Sequence, residues 1–70
     1  MLIEIDNPEY ADAVRVHFTR SGFRARLVSD GVIDVRLDDA PNANQEMLEV
    51  DLHLRVWEAM NPGKAVNLLR

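Results

Sequence analysis

Two histidines, His17 and His53, carry the side chains best suited to metal or proton chemistry in this sequence. They fall in two different predicted helices and form no His-x-x-x-His or His-x-x-Glu pair, although Glu46 and Glu49 precede His53. The chain has no cysteine, which excludes thiolate metal sites, iron–sulfur clusters and a cysteine nucleophile. The sequence therefore predicts no metal site and no cofactor, with both histidines partly exposed at the flanks of their elements.

The carboxylates and serines form no pattern that is typical of catalysis. General acid–base chemistry needs a pair of carboxylates in a cleft, or a base that a third group orients. Neither serine lies in a Gly-x-Ser-x-Gly motif, and the three glycines are too dispersed to build a phosphate-binding loop. Strand edges, helix starts and loops account for the acidic residues considered for such a role: Glu4, Asp6, Glu9, Asp12, Asp38 and Asp39. The sequence therefore predicts no catalytic residues and a protein that is not an enzyme.

Three arginines, Arg24, Arg26 and Arg36, fall on one face of a predicted β-hairpin. They form a candidate site for a small anionic metabolite, because guanidinium groups bind carboxylates and phosphates through paired hydrogen bonds. The alternative is a solvated sheet face on which Arg26 pairs with Asp34. That face has no aromatic residue for base stacking, and a net charge of −4 opposes binding to phosphate backbones, so nucleic acid is not an expected partner.

The composition limits the architecture that can position these groups. The chain has 70 residues, of which 47% are hydrophobic and 29% charged, so it forms one domain over residues 1–70. A chain of this length buries only about 60% of the surface that its unfolded form exposes, so its core is small and self-association is an expected way to stabilise it. No apolar run is long enough for a membrane span or a signal peptide, and we expect a cytoplasmic protein without a membrane partner.

The first half of the chain predicts a strand, a helix and a hairpin. Residues 2–5 are apolar and β-branched, Asn7 is a suitable helix cap before Pro8, and Gly22 ends the following amphipathic helix.

Residues 23–28 and 32–37 alternate between apolar and polar around a turn at 29–31. A three-residue turn pairs Leu27 with Ile33 and keeps one face apolar, whereas a two-residue turn would mix apolar and polar residues on each face. We therefore predict the three-residue turn, with its glycine in the left-handed conformation.

Residues 45–60 fit two interpretations. The alternation over residues 48–56 taken alone is typical of a strand. The length and composition of the segment, a cap at Asn42 or Asn44, and the stop at residues 61–63 favour a helix. We predict the helix, with the strand as the alternative.

As a helix, this segment has two apolar stripes on nearly opposite sides. We expect the larger stripe to face the sheet: Leu48, Leu52, Val56, Ala59 and Met60. The smaller stripe then either packs along the first helix or forms an exposed surface with Trp57 at its centre. Aromatic and methionine side chains are typical of interface centres, and in so short a chain a homodimer is the simplest use for them. The sequence therefore predicts a surface for a second copy or another protein partner: Met47, Val50, Leu54 and Trp57.

The order strand, helix, strand, strand, helix, strand predicts an α+β fold. The expected arrangement is ferredoxin-like βαββαβ, with a four-stranded antiparallel sheet and two helices on one face. Apart from one stripe of the second helix, the predicted core is Ile3, Ile5, Tyr10, Ala11, Val14, Phe18, Phe23, Ala25, Leu27, Ile33, Val35, Leu37, Val66 and Leu68.

The opening of the chain resembles that of small prokaryotic signal-transducing proteins. The resemblance lies in Asn7-Pro8-Glu9, the amphipathic helix, and the run from Ser21 and Gly22 to Ala25, and it covers about the first 28 residues. The Leu-Pro motif and the tryptophan-bearing last strand of that family are missing. The element order also resembles the ACT and heavy-metal-associated folds, but without the former's ligand-site glycine or the latter's Cys-x-x-Cys motif. The resemblance implies a small regulatory domain without a defined ligand.

Overall fold

The first strand and the first helix form as the sequence predicts. The computed structural model describes residues 1–64 and 66–68. Strand β1, Leu2–Ile5, buries alternate residues, as a strand with one covered face must. The side-chain oxygen of Asn7 accepts a hydrogen bond from the N–H of Glu9 at 3.1 Å, which starts a 3₁₀ turn that leads into helix α1, Ala11–Arg20. Helix α1 buries one stripe, Ala11, Val14 and Phe18, and is followed after its cap Ser21 by Gly22, whose φ is +95°.

The hairpin confirms the predicted pairing but not the predicted turn. Strands β2, Arg24–Ser29, and β3, Val32–Arg36, pair antiparallel with Leu27 opposite Ile33. The turn itself has two residues, because Ser29 pairs with Val32 and the register shifts by one residue after Leu27. The extra residue that we placed in the turn therefore lies in the strand as an irregularity.

Gly31 connects the hairpin turn to the end of β1. Its φ is +71°, and its carbonyl oxygen accepts a 2.7 Å hydrogen bond from the N–H of Ile5. A Cβ atom at this position would lie 3.0 Å from the carbonyl oxygen of Ile5, closer than ordinary van der Waals contact. Only glycine suits this position, since both the left-handed backbone and the close approach exclude a side chain.

Residues 43–60 confirm the helix over the strand. Helix α2, Ala43–Met60, begins at Asn42, whose side-chain oxygen accepts a 2.8 Å hydrogen bond from the N–H of Gln45. It ends at Asn61, whose side-chain amide donates to the carbonyl oxygen of Trp57 at 2.9 Å. Neither helix in the described part of the chain has both the length and the apolar character that a membrane span requires.

The orientation of α2 is opposite to the predicted one. Val50, Leu54 and Trp57, which we expected on the outer side, are buried in the core. The residues that we expected to face the sheet are on the surface: Leu48, Leu52, Val56, Ala59 and Met60.

Our prediction chose the buried stripe by its number of apolar residues. In the structure, the buried stripe is the one with the largest side chain and with neighbouring residues that contact the rest of the protein. Trp57 is the largest side chain on α2, and Glu46 and His53 flank the stripe that contains it. The Glu46 carboxylate accepts the N–H of Leu37 at 3.0 Å, and the His53 ring lies 5.1 Å from that of Phe23. These two contacts turn the tryptophan stripe toward the sheet.

The molecule is an α+β protein with an antiparallel sheet and two helices. The hydrogen-bonded order is β2-β3-β1, and β4, Val66–Leu68, pairs antiparallel with the other side of β1. The ends of the predicted last strand, residues 65 and 69, lie outside the described residues, as does the side chain of Leu68. One cluster joins the sheet to both helices and confirms much of the predicted core: Ile3, Ile5, Ala11, Val14, Phe18, Phe23, Ile33, Val35 and Val66. Tyr10, Ala25 and Leu37 of the predicted core are only partly buried against this cluster, and Leu27 is 48% exposed on the outer strand.

Candidate functional site

The outward face of α2 carries an apolar stripe. Among the described residues, five of the eight exposed large hydrophobic side chains lie on this helix. Four of them follow one another at four-residue intervals and form what we call the outer stripe: Leu48, Leu52, Val56 and Met60. Their exposed fractions lie between 42 and 60%, so the stripe is open to solvent along about three turns of helix.

A row of charges borders the outer stripe on one side. The Arg55 guanidinium bonds the Glu58 carboxylate at 2.6 Å and the Asp51 carboxylate at 3.2 Å. These ion pairs join side chains one turn apart, and they raise the pKa of Arg55 through the Glu58 hydrogen bond and the Asp51 charge. The stripe therefore lies beside a mixed-charge edge rather than a strongly charged one.

The predicted partner residues are placed differently. Val50, Leu54 and Trp57 belong to the core cluster, and their exposed fractions are 0, 1 and 3%. Only Met47 of that predicted surface is exposed. The first three side chains stabilise the fold and cannot reach a partner while the chain is folded.

The three predicted arginines do lie on one face of the hairpin. Arg24 and Arg36 are directly opposite each other, and Arg26 is opposite Asp34. The Arg24 guanidinium bonds Asp38 at 2.8 Å, and the Arg36 Nε lies 3.3 Å from the Asp34 carboxylate.

A fourth arginine joins them around one cavity. The cavity has a volume of about 430 Å³. Arg15 and Thr19 of α1 reach it from the helix side of β2, and Phe23 and Ala25 form the apolar part of its lining. Arg15 also bonds Asp12 at 2.8 Å. Sequence reasoning missed Arg15 because it belongs to a different element, and its proximity depends on how α1 packs against the outer strand.

Asp34 is the one carboxylate that lines this cavity among the described residues. Burial raises its pKa, but the amino group of Met1 and the guanidinium groups of Arg36 and Arg26 outweigh burial and hold the pKa below its ordinary value. The carboxylate is therefore ionised at neutral pH, and the guanidinium groups exceed it in number around the cavity.

A second cavity borders the other half of β2. Its volume is about 390 Å³, and Pro8, Ala11, Leu27 and Val28 supply its apolar lining. Leu27 and Val28 are both close to half exposed. The outer strand thus has a basic region at its first half and an apolar region at its second half.

The two histidines, which the sequence placed on different helices, meet between α1 and α2. The ring centroids of His17 and His53 are 5.6 Å apart; the Phe18 ring borders both, and the Phe23 ring borders His53. His17 Nε2 and His53 Nδ1 are buried without a hydrogen-bond partner in the described structure. Burial lowers the pKa of His17, the charge of His53 lowers it further, and a weaker backbone effect at His53 acts the other way.

The histidine pair lacks the further ligands of a metal centre. Within residues 1–64 and 66–68, no three side chains of His, Cys, Asp or Glu come together as a cluster that could hold a metal ion. The pair therefore contributes to helix packing, and no sequence pattern signals it because the two residues lie on separate elements.

No family model, curated protein or solved structure matches the chain.

Proposed function

We propose that this chain is a cytoplasmic, non-enzymatic interaction module that forms a homodimer through the outer stripe of α2. The observation that carries this proposal is the concentration of exposed apolar side chains on one helix face, where a soluble monomer normally places polar residues. The proposal keeps the helix that the sequence indicated but moves the contact to its opposite side.

We assign the domain to the ferredoxin-like βαββαβ class. The element order and the strand order β2-β3-β1-β4 support this assignment, with both helices packed into one core cluster. The N-terminal resemblance to signal-transducing proteins supports a regulatory role for the dimer.

An antiparallel pair of α2 helices makes the outer stripe complementary to itself. A two-fold axis near residue 54 sets Leu52 opposite the second copy's Val56, and Leu48 opposite its Met60. In this arrangement the charged rows of the two copies also face each other, but Arg55 of one copy lies as close along the helix axis to Arg55 of the other as to its Asp51. The apolar contact is therefore what favours a second copy.

The size of the stripe limits the affinity. Four half-exposed side chains offer a few hundred Å² of apolar surface per copy, so the interface is close to the lower limit of about 1,000 Å² for specific association. We expect a dissociation constant of about 10–100 μM.

Sedimentation velocity over about 5–500 μM tests the dimer, because mass action must shift the sedimentation coefficient across this range. Leu52→Lys should abolish the shift by placing a charge in the apolar contact. Val28→Lys is the matched control, since it adds the same charge at an exposed valine of β2. A protein that stays monomeric throughout, or an equal effect of both variants, contradicts the proposal.

A mixing experiment tests the antiparallel arrangement. Leu52→Lys and Val56→Glu chains should each be monomeric alone, whereas an equimolar mixture should form heterodimers because Lys and Glu then face each other once per dimer. A mixture that remains monomeric rules out this pairing of Leu52 with Val56.

We propose anion binding at the arginine cavity as a second function, because Arg15 adds a fourth guanidinium to the three that the sequence indicated. A thermal-shift series with phosphate, citrate and nucleotides tests it. A ligand bound at about 10 μM stabilises the folded state by about 2.7 kcal/mol at 1 mM. Arg26→Gln should remove that effect and Arg20→Gln should not, since Arg20 is outside the cavity lining. Absence of stabilisation by every anion contradicts this second proposal.

A further inference from the structure

Strand β2 is the outer strand on its side of the described sheet. It pairs with β3 along one edge, and its other edge has no strand partner among the described residues. In an antiparallel sheet, every second N–H and C=O of such a strand points outward, away from its neighbour. These backbone groups can form hydrogen bonds with an added strand.

The two faces next to this edge differ in chemistry. On the open face, Arg24 and Arg26 project beside the edge and are exposed. On the helix face, Ala25 and Leu27 alternate with them and lie near the apolar parts of the two cavities. An added strand would direct its own side chains alternately to these two faces.

We propose that β2 binds an extended peptide with alternating acidic and apolar residues as an additional strand. The acidic side chains lie on the open face against Arg24, Arg26 and Arg36, and the apolar side chains lie on the helix face beside Ala25 and Leu27. This inference rests on the second function above, for which it names the ligand: the anions are carboxylates of a polypeptide.

Charge disfavours a second copy of β2 as the occupant. Pairing β2 with itself would bring Arg24 and Arg26 next to the same residues of the other copy, and like charges at facing positions destabilise a sheet. A free metabolite, in turn, would leave the outward backbone groups and the apolar cavity of about 390 Å³ unused. An acidic strand is the occupant that uses all three features.

The test uses a labelled octapeptide, acetylated and amidated, that alternates glutamate with valine. Fluorescence anisotropy should give a dissociation constant on the order of 100 μM or lower, and added salt should weaken binding. Arg26→Glu should weaken binding about fivefold to tenfold, because it replaces an attraction with a repulsion. Arg20→Glu is the matched control, with the same charge change on an exposed residue of α1 outside the cavity.

A second peptide separates strand addition from simple charge attraction. It has the same sequence, with its four central amides N-methylated so that it retains its charges but cannot form a ladder. It should bind at least about tenfold more weakly, since several backbone hydrogen bonds are lost. Hydrogen exchange at the amides of residues 24–27 should slow only with the unmethylated peptide.

Each remaining outcome decides between the two proposals. Equal binding of the methylated and unmethylated peptides overturns strand addition and leaves the anion site intact. Stabilisation by phosphate or citrate without peptide binding also overturns strand addition and leaves the anion site intact. Failure of the peptide and of every small anion overturns both proposals together.

Discussion

The two stripes of α2 have similar apolar composition and opposite fates. The inner stripe, Val50, Leu54 and Trp57, is buried, whereas the outer stripe is open to solvent. The inner stripe contains the bulkiest side chain and is flanked by Glu46 and His53, which have specific partners outside the helix. The difference teaches that hydrophobicity alone does not orient a helix with two apolar faces. Side-chain volume and a few specific contacts determine which face of the helix is buried.

Truncation of Trp57 should give the largest difference between the two stripes. Trp57→Ala removes a side chain that is 3% exposed and should lower the free energy of unfolding by about 3–5 kcal/mol. Val56 is the neighbouring residue in sequence but lies on the outer stripe. Val56→Ala should change the free energy of unfolding by about 0.5 kcal/mol or less. Urea denaturation followed by far-ultraviolet circular dichroism measures both. Similar losses for the two variants would mean that the stripes are not distinct in the folded chain.

Removal of the Glu46 contact should have the next largest effect. Glu46→Ala leaves the half-buried N–H of Leu37 without its carboxylate acceptor and should cost about 1–3 kcal/mol. Glu49→Ala is the control, since Glu49 accepts its hydrogen bond from Gln45 on the same helix. If both variants lose equal stability, the contact between Glu46 and Leu37 does not orient α2.

Acid should destabilise the contact between His17 and His53. The pKa of His17 in the folded protein is below its ordinary value of 6.5, so the unfolded chain takes up a proton first as the pH falls. Stability from this residue is complete above pH 6.5 and is lost as the pH falls from there toward the lowered pKa. Urea denaturation at several pH values between about 7.5 and 5 should show this decline, which His17→Gln should reduce. If the free energy of unfolding falls with pH as steeply in His17→Gln as in the unchanged protein, His17 is not the source of the decline.

Changes on the outer stripe should have the smallest effect on folding. Leu52→Lys should change the free energy of unfolding by about 0.5 kcal/mol or less when measured at low protein concentration, because Leu52 is 56% exposed. Sedimentation of the same variant should show the loss of association described above. A large loss of stability in the monomer would indicate that the outer stripe belongs to the core.

Local patterns predicted the elements of this fold well. The alternation around the hairpin determined which strand residues pair, and Asn7 and Gly22 marked helix boundaries that the structure confirms; of the two caps left open for α2, the structure uses Asn42. The turn length was wrong because a register shift inside the strand produces the same pairing as a longer turn. Side-chain alternation cannot distinguish these two solutions.

Contacts between elements were harder to predict. The orientation of α2 depended on Glu46 and His53 finding partners outside the helix, and no periodicity reports such partners. The arginine cluster was predicted within the hairpin, but Arg15 was not, because its place depends on how α1 packs on β2. The meeting of His17 with His53 was missed for the same reason.

The register shift after Leu27 also bears on the solubility of the protein. An open strand edge is a template on which identical chains can stack into long cross-β ladders. The irregularity between Leu27 and Ser29 bends and twists the strand, so only residues 24–27 offer a straight edge. Two of those four residues are arginines, which repel their counterparts in a stacked copy. We therefore expect the register shift to hinder fibril growth on the outer strand.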